Sequence, residues 1–558
     1  MLCFGSGRGL DRWFSRAIFA CAAAWLLGMP GPSAAQTTEV NVYPTLDQSF
    51  VGPQLAVNPT NPNNIVLAAT ADTGYTQACI AAVVPGSPCE LVPRPGIPGI
   101  AALAPRGYMT PGFLVKGMFV SFDRGATWTK VDISGLRPAG HPELYSINEG
   151  GFGVTADGTF YLQWNALDWG DWLATPPTFV PNAAIAVSKS TDGGLTWSVP
   201  TISNPPTDFP YLAIDKSDGT VYSMGGLGAI TPLGPRSTGD PNSPILTPFG
   251  DAFVAASADG VTWTPAQRTG GTDGVTQFTG ATGKDIAAAN GVAATVHFQT
   301  TAAACAFFLG GGAAAPCVVF QTSTDAGATW TRQRVPAPYA PTALEVAADP
   351  STPGHYTVVT MPSDRSRLDV WQTLDTGNTW SGPKAISQDV TKTGWNPWIA
   401  YSLDGVFGMV WRTNELAPYP ALSPYSIWAA TSEDGGLTFH VRKVSNGSPA
   451  AKTTPFTGLS GNIPQDRSAI ALHGRNVYVA WGDWRTGERN LVFSAFTLPV
   501  NGDLNDDGVV DAADYQLIRS SLGKCSGAPG FVVAADLDAN GCVDYRDYQS
   551  WYAIYRSH

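Results

Sequence analysis

One short pattern, Ser/Thr-x-Asp-x-Gly-x-Thr-Trp, recurs along this chain and limits its fold more than any other feature. It is spelled by Ser121, Asp123, Gly125, Thr127 and Trp128, and again by Ser190, Asp192, Gly194, Thr196 and Trp197. It returns at Ser323, Asp325, Gly327, Thr329 and Trp330, and at Thr373, Asp375, Gly377, Thr379 and Trp380. A copy at Ser432, Asp434, Gly436 and Thr438 ends in Phe439, and one at Ser257, Asp259, Gly260, Thr262 and Trp263 is one residue shorter. Each follows a short alternating run, such as residues 118–121 or 184–188. The physics points to a hairpin. Asp accepts hydrogen bonds from its own turn, Gly takes φ > 0, and Thr-Trp opens the returning strand. The Trp ring is then placed to bury itself between neighbouring sheets.

Between these turns lies a second repeating element, a pair of apolar strands, as in residues 53–58 with 65–69 and 211–215 with 220–223. Others begin near Gly150, Lys284, Leu344, Trp398 and Ser468, which makes seven units, the first six carrying the turn motif. The seventh, over 468–495, stops one strand short, and residues 40–43 ahead of the first unit are placed to complete it. Such closure removes exposed sheet edges. Abundant Gly (61) and Pro (45) with only 14% charged residues suit a turn-rich all-β chain. The motif resembles the Asp box of the sialidase-like (BNR repeat) β-propeller family and of many related secreted propellers. In that family the boxes are structural. The resemblance implies an all-β Asp-box propeller, placed at residues 37–498. The unit count favours seven blades, with six, as in true sialidases, the alternative.

Connectivity orients the propeller. In a four-stranded meander the 1–2 and 3–4 turns share one face, and the 2–3 and 4–1 turns the other. The boxes are 3–4 turns, whereas the long insertions at 72–111, 165–181, 225–248 and 300–316 are all 2–3 turns. Loops gathered on one face commonly carry binding, although surface loops also tolerate insertion passively. The first strands start from that face beside the axis, at Gln54, Glu149, Asp208, Asp285, Glu345, Asn396, and Asp466 with Arg467. Asp285, Glu345 and Asp466, with Arg467 beside the last, are the catalytic candidates, because paired carboxylates serve glycoside hydrolysis. The plainer alternative makes each a turn cap. Trp164, Trp169, Trp172, Trp395 and Trp398 are candidate sugar-stacking rings; the alternative is that they form small local cores.

Sialidases of the family grip a substrate carboxylate with three arginines, the first in an early Phe-Arg-Ile-Pro segment, and use a Tyr/Glu nucleophile with an Asp acid/base. This chain has no such segment. Arg94 and Arg106 lie inside a Pro-rich insertion, and Arg467 alone heads a first strand. A carboxylate ligand wants bidentate guanidinium partners, so the resemblance carries over the fold and not the arginine triad.

The first 35 residues read as a signal peptide: Arg8, Arg12 and Arg16 precede an apolar run from Ala17 to Met29, and Ser33, Ala34 and Ala35 offer a cleavage site. That run falls short of the roughly 20 residues a membrane span needs. Removal leaves cysteines in three close couples, Cys79 with Cys89, Cys305 with Cys317 and Cys525 with Cys542, which fits disulfides formed outside the cytoplasm. Losing three Arg and one Asp takes the formal charge from −12 to −14. So acidic a chain is a poor partner for nucleic acid or anionic lipid.

After residue 500 the composition changes. Asp503, Asn505, Asp507, Val509, Asp511 and Asp514 occupy ligand positions of a twelve-residue EF-type calcium loop, Val509 through its carbonyl and with Gly508 at the sharp turn. Asp536, Asp538, Asn540, Cys542, Asp544 and Asp547 repeat it, Cys542 offering its carbonyl, so two Ca2+ ions are expected. A helix continues each loop. This pairing resembles a type I dockerin and assigns residues 501–558 to it. Dockerins plug enzymes into cohesin scaffolds. Their recognition pairs, often Ser/Thr, correspond here to Ala512-Ala513 and Tyr545-Arg546, which depart from that pattern. The chain is therefore expected to be secreted, extracellular or on the cell surface. Its role is either that of a sialidase-like glycoside hydrolase or that of a non-catalytic propeller binding glycan or protein, with a cohesin-like protein as a further partner.

Overall fold

The computed structural model describes residues 38–44, 49–72, 89–93, 101–105, 117–133, 135–141, 144–147, 150–168, 183–204, 210–225, 252–269, 286–386, 393–414, 425–446, 468–483, 490–498, 502–505, 509–538 and 540–556. Seven antiparallel sheets form a closed propeller. Blade one comprises Ser49–Val57, Ile65–Asp72, Gly117–Ser121 and Thr129–Val131. Blade five comprises Ala343–Ala348, Tyr356–Met361, Leu368–Thr373 and Ser381–Ile386. The first strands touch one another in cyclic order, so the seventh meets the first. Blade seven has only three strands of its own, Ala469–His473, Asn476–Asp483 and Asn490–Thr497. Its fourth is Glu39–Asn41, with Val40 opposite Phe493. The ring is thus locked by the two ends of the propeller sequence, and the seven-blade count holds.

Alternation along each strand sends side chains into the gaps between blades. Ala56, Val66 and Met118 of blade one meet Phe160, Leu162 and Trp164 of blade two in one such core. Leu368, Val370 and Met361 of blade five meet Phe407, Met409 and Trp411 of blade six in another.

The boxes have the expected chemistry. In the first, Ser121 Oγ donates to Asp123 Oδ1 at 2.8 Å, and Asp123 accepts the Thr127 amide at 2.8 Å and hydroxyl at 2.6 Å. Trp128 Nε1 then donates to the Gly125 carbonyl at 3.0 Å. Gly377 shows why glycine is needed: its φ is +93°, and a Cβ there would lie 2.7 Å from the Phe320 ring of blade four. Each box therefore also fits against the blade before it. The shorter copy differs only at its end, where Trp263 Nε1 reaches Thr201 Oγ1 at 3.0 Å.

Helix α1 (Ala302–Leu309) fills the 2–3 connection of blade four, closed by the expected Cys305–Cys317 disulfide. In the C-terminal module, α2 (Ala512–Ser521) and α3 (Tyr545–Tyr555) enclose Leu504, Ile518, Leu537, Val543 and Trp551. The Cys525–Cys542 disulfide joins its two halves.

The third expected bridge, between Cys79 and Cys89, involves Cys79, which lies outside the described residues. The backbone of Cys89 opens the strand Cys89–Pro93, where it is the ladder partner of Pro105 on Ala101–Pro105, a two-stranded hairpin set within the 2–3 insertion of blade one. Among the described residues no helix is long and apolar enough to cross a membrane.

Candidate functional site

The axis encloses a cavity of about 390 Å³ walled by the first strands of all seven blades. Its sides are apolar, with Leu55, Leu212, Ile214, Ile399, Ile470 and Leu472 among the lining residues. The last strand residues, Val57, Val154, Ile214, Ala289, Ala348, Tyr401 and His473, lie toward the box face, and Lys216 and Asp404 line that end.

Three residues back along each first strand lies a single ring, one step nearer the loop-bearing face: Gln54, Gly151, Tyr211, Ile286, Glu345, Trp398 and Ile470. Gln54, Tyr211 and Trp398 line the cavity there. The Gln54 amide donates to the Gly150 carbonyl, which fixes its direction. Two aromatic rings and an oriented amide thus line the loop-bearing end of a channel that also carries many aliphatic side chains. Such a mixture of apolar faces and a few placed polar groups is typical of small-ligand sites.

The sequence candidates are distributed around this ring. Trp398 is on it, half-buried. Glu345 is at the same level but only 1% exposed, on the strand face that carries Ala343 and Ala347 toward blade six. Trp164 is 1% exposed in the core between blades one and two. Trp395 pairs with Arg412 in the ladder of blade six. Asp285, Asp466, Arg467, Trp169 and Trp172 lie outside the described residues. One contributor went unremarked in the sequence. Tyr211 heads the first strand of blade three, and its only sequence signal is its place in register with Gln54. Tyr425 lies 4.9 Å below the Arg412 guanidinium and donates to the Gly482 carbonyl of blade seven.

At the loop-bearing end of blade five, Arg367 Nε and Nη2 bond the two oxygens of Asp369 at 2.8 and 3.2 Å. Tyr339 donates to the same carboxylate. Burial, and then this hydrogen bond, push the Tyr339 hydroxyl well above its ordinary pKa. A phenol held protonated is a poor nucleophile. The trio is a structural latch.

The C-terminal loops are built differently. Asp547 Oδ1 accepts the amides of Leu537 at 2.8 Å and Asp538 at 3.2 Å, while Oδ2 accepts that of Asp544 at 2.7 Å. In the first loop Asp514 accepts Leu504, Asn505 and Asp511 in the same way, at 2.6, 3.1 and 2.8 Å. Asp511 and Asp544 each cap the helix that follows. Asp536, Asp538 and Asp547 each place a carboxylate oxygen within 4.8 Å of the others. Burial, and then the facing Asp547 and Asp538, raise Asp536 to about 8. Crowded, desolvated carboxylates of this spacing fit a hard divalent cation with oxygen ligands at about 2.3–2.6 Å. Bound there, calcium would supply charge neutralisation and a fixed loop shape.

Fold and loops define the class: an Asp-box β-propeller carrying a C-terminal module with two aspartate-rich loops. Residues 501–550 match the family model of the dockerin type I domain. Dockerin domains bind cohesins and generally bind calcium. No curated protein matches the chain. Among solved structures, a protein of unknown function from Dyadobacter fermentans is 14% identical with a TM-score of 0.38, over 84% of this chain and 100% of that one. A Hadza microbial sialidase is 15% identical with a TM-score of 0.36, over 83% and 95%. Trypanosoma rangeli sialidase is 12% identical with a TM-score of 0.40, over 90% and 65%.

Proposed function

We propose that this is a secreted protein, with residues 1–35 its signal peptide, whose propeller engages glycans at the loop-bearing end of its axis. The single supporting observation is the ring position where Gln54, Tyr211 and Trp398 line the cavity. Aromatic faces match the apolar faces of pyranose rings, and an oriented amide reads hydroxyls. Two calcium ions order the C-terminal loops, and the dockerin domain attaches the chain to a cohesin-like partner.

A second reading, hydrolysis, rests on Glu345 as a carboxylate at the level of the ring, with its side chain on the strand face toward blade six. Asp285, and Asp466 with Arg467, which precede the first strands of blades four and seven in the sequence, are its proposed companions. The test incubates the purified chain with calcium and a panel of sialylated and neutral glycans, scoring release and retention. Retention lost in Trp398→Ala and Tyr211→Ala supports engagement at the ring. Release abolished by Asp285→Ala, Glu345→Ala or Asp466→Ala adds catalysis. Absence of both release and retention refutes the glycan assignment.

A further inference from the structure

The dockerin domain is seated on the propeller at one particular box. The Phe439 amide of blade six donates to the Leu537 carbonyl at 2.8 Å. Val533, on the 3-10 turn Val533–Ala535, packs against the core that contains Phe439, beside the outer strand His440–Lys443. The sequence carries a trace of this contact. In the other five boxes the last residue is Trp and half-buried; in four of them its indole N–H bonds the box glycine carbonyl. In the sixth it is Phe439, 1% exposed beneath the module. A phenyl ring brings no N–H that needs a partner when covered.

Leu537 is also part of the second calcium loop. It lies between Asp536 and Asp538, and its amide donates to Asp547 Oδ1 at 2.8 Å. One buried residue therefore bonds the metal cage through its N–H and the propeller through its C=O. We propose that cation binding in the second loop and docking of the dockerin domain on blade six are coupled through Leu537, so that calcium clasps the module and chelation releases it on its tether. The proposal rests on the calcium assignment made above. Without the cation, Asp536, Asp538 and Asp547 repel one another across 4.8 Å or less. Any relaxation of Asp547 withdraws the acceptor that orients the Leu537 peptide. Coupling of this kind is reciprocal, so docking must raise calcium affinity by the factor by which calcium favours docking, typically about 5- to 150-fold.

The test uses the full chain. Amide hydrogen exchange is followed on peptides covering 433–443, with calcium and after chelation, while calcium binding is measured separately by titration calorimetry. Chelation should speed exchange across 439–443 and leave blades one to three unchanged. Val533→Asp, which disturbs the seat without touching a ligand, should weaken the second calcium site roughly 5- to 150-fold. Leu537→Ala, which keeps both backbone bonds, should retain the exchange response to calcium. If calcium binds but neither exchange nor the Val533→Asp affinity responds, the clasp is refuted and the calcium assignment stands. If no calcium binds, both fall.

Discussion

Two kinds of aspartate loop punctuate this molecule, and they solve opposite problems. In the boxes each carboxylate is surrounded by donors from its own turn. Asp325 is held at about 2 by the Thr329 hydroxyl and amide and by Ser323, and Asp259 likewise by the amides of Thr262 and Val261. Such a loop is complete in itself. In the C-terminal module the carboxylates turn toward one another, and Asp536 is pushed up to about 8 by burial and its neighbours. Such crowding fits a loop that takes a cation. Aspartate density alone therefore says little; the direction of the surrounding donors decides whether a loop needs metal.

The largest expected effect lies on the side of the crowded loops. Saturating calcium at about 1,000 times its dissociation constant adds about 4 kcal/mol to a site bound only when folded. Chelation should thus collapse the helical signal of α2 and α3, while the β signal of the propeller persists in circular dichroism. Next comes Gly377→Ala, which sets a Cβ 2.7 Å from Phe320 at a φ of +93°. Overpacking and left-handed strain together should cost about 3 kcal/mol in chemical denaturation.

A smaller effect follows from Asp325→Asn, which keeps the shape but loses the charge. The folded carboxylate titrates at about 2 and the unfolded one near 4. Its contribution is therefore whole above about pH 4 and disappears as pH falls toward 2. The variant should melt lower at pH 6 and show a flatter acid slope than wild type. The smallest effect has the opposite sign. Thr376 precedes a box glycine with φ at +59°, where β-branched side chains are strained. Asn tolerates that region, so Thr376→Asn should stabilise the propeller by about 0.5–1 kcal/mol in the same denaturation assay.

What the sequence made legible was local chemistry. The boxes announce themselves because Ser, Asp, Gly and Thr complete a turn within a few residues. The strand that closes blade seven was visible as a missing partner, and the C-terminal module as a repeated acidic spacing. What stayed hidden depends on which way a side chain points. Both faces of an inner strand are apolar here, so alternation could not reveal that Trp164 enters the core while Trp398 meets the cavity. Cysteine spacing was legible where it could be followed: the couples at 305–317 and 525–542 are both bridged. Tyr211 matters only through its level in a ring assembled from distant segments. The seating of the module was equally non-local, and the Phe in place of Trp at 439 was its one visible mark.

The decisive measurement is calcium titration calorimetry on the full chain beside two variants, Asp325→Asn in a box and Asp536→Asn in the second C-terminal loop. Two ions should bind wild type and Asp325→Asn alike, and one of them should be lost or greatly weakened in Asp536→Asn. Calcium binding that survives Asp536→Asn unchanged but is lost in Asp325→Asn would place the metal in the boxes and contradict the division between the two loop types.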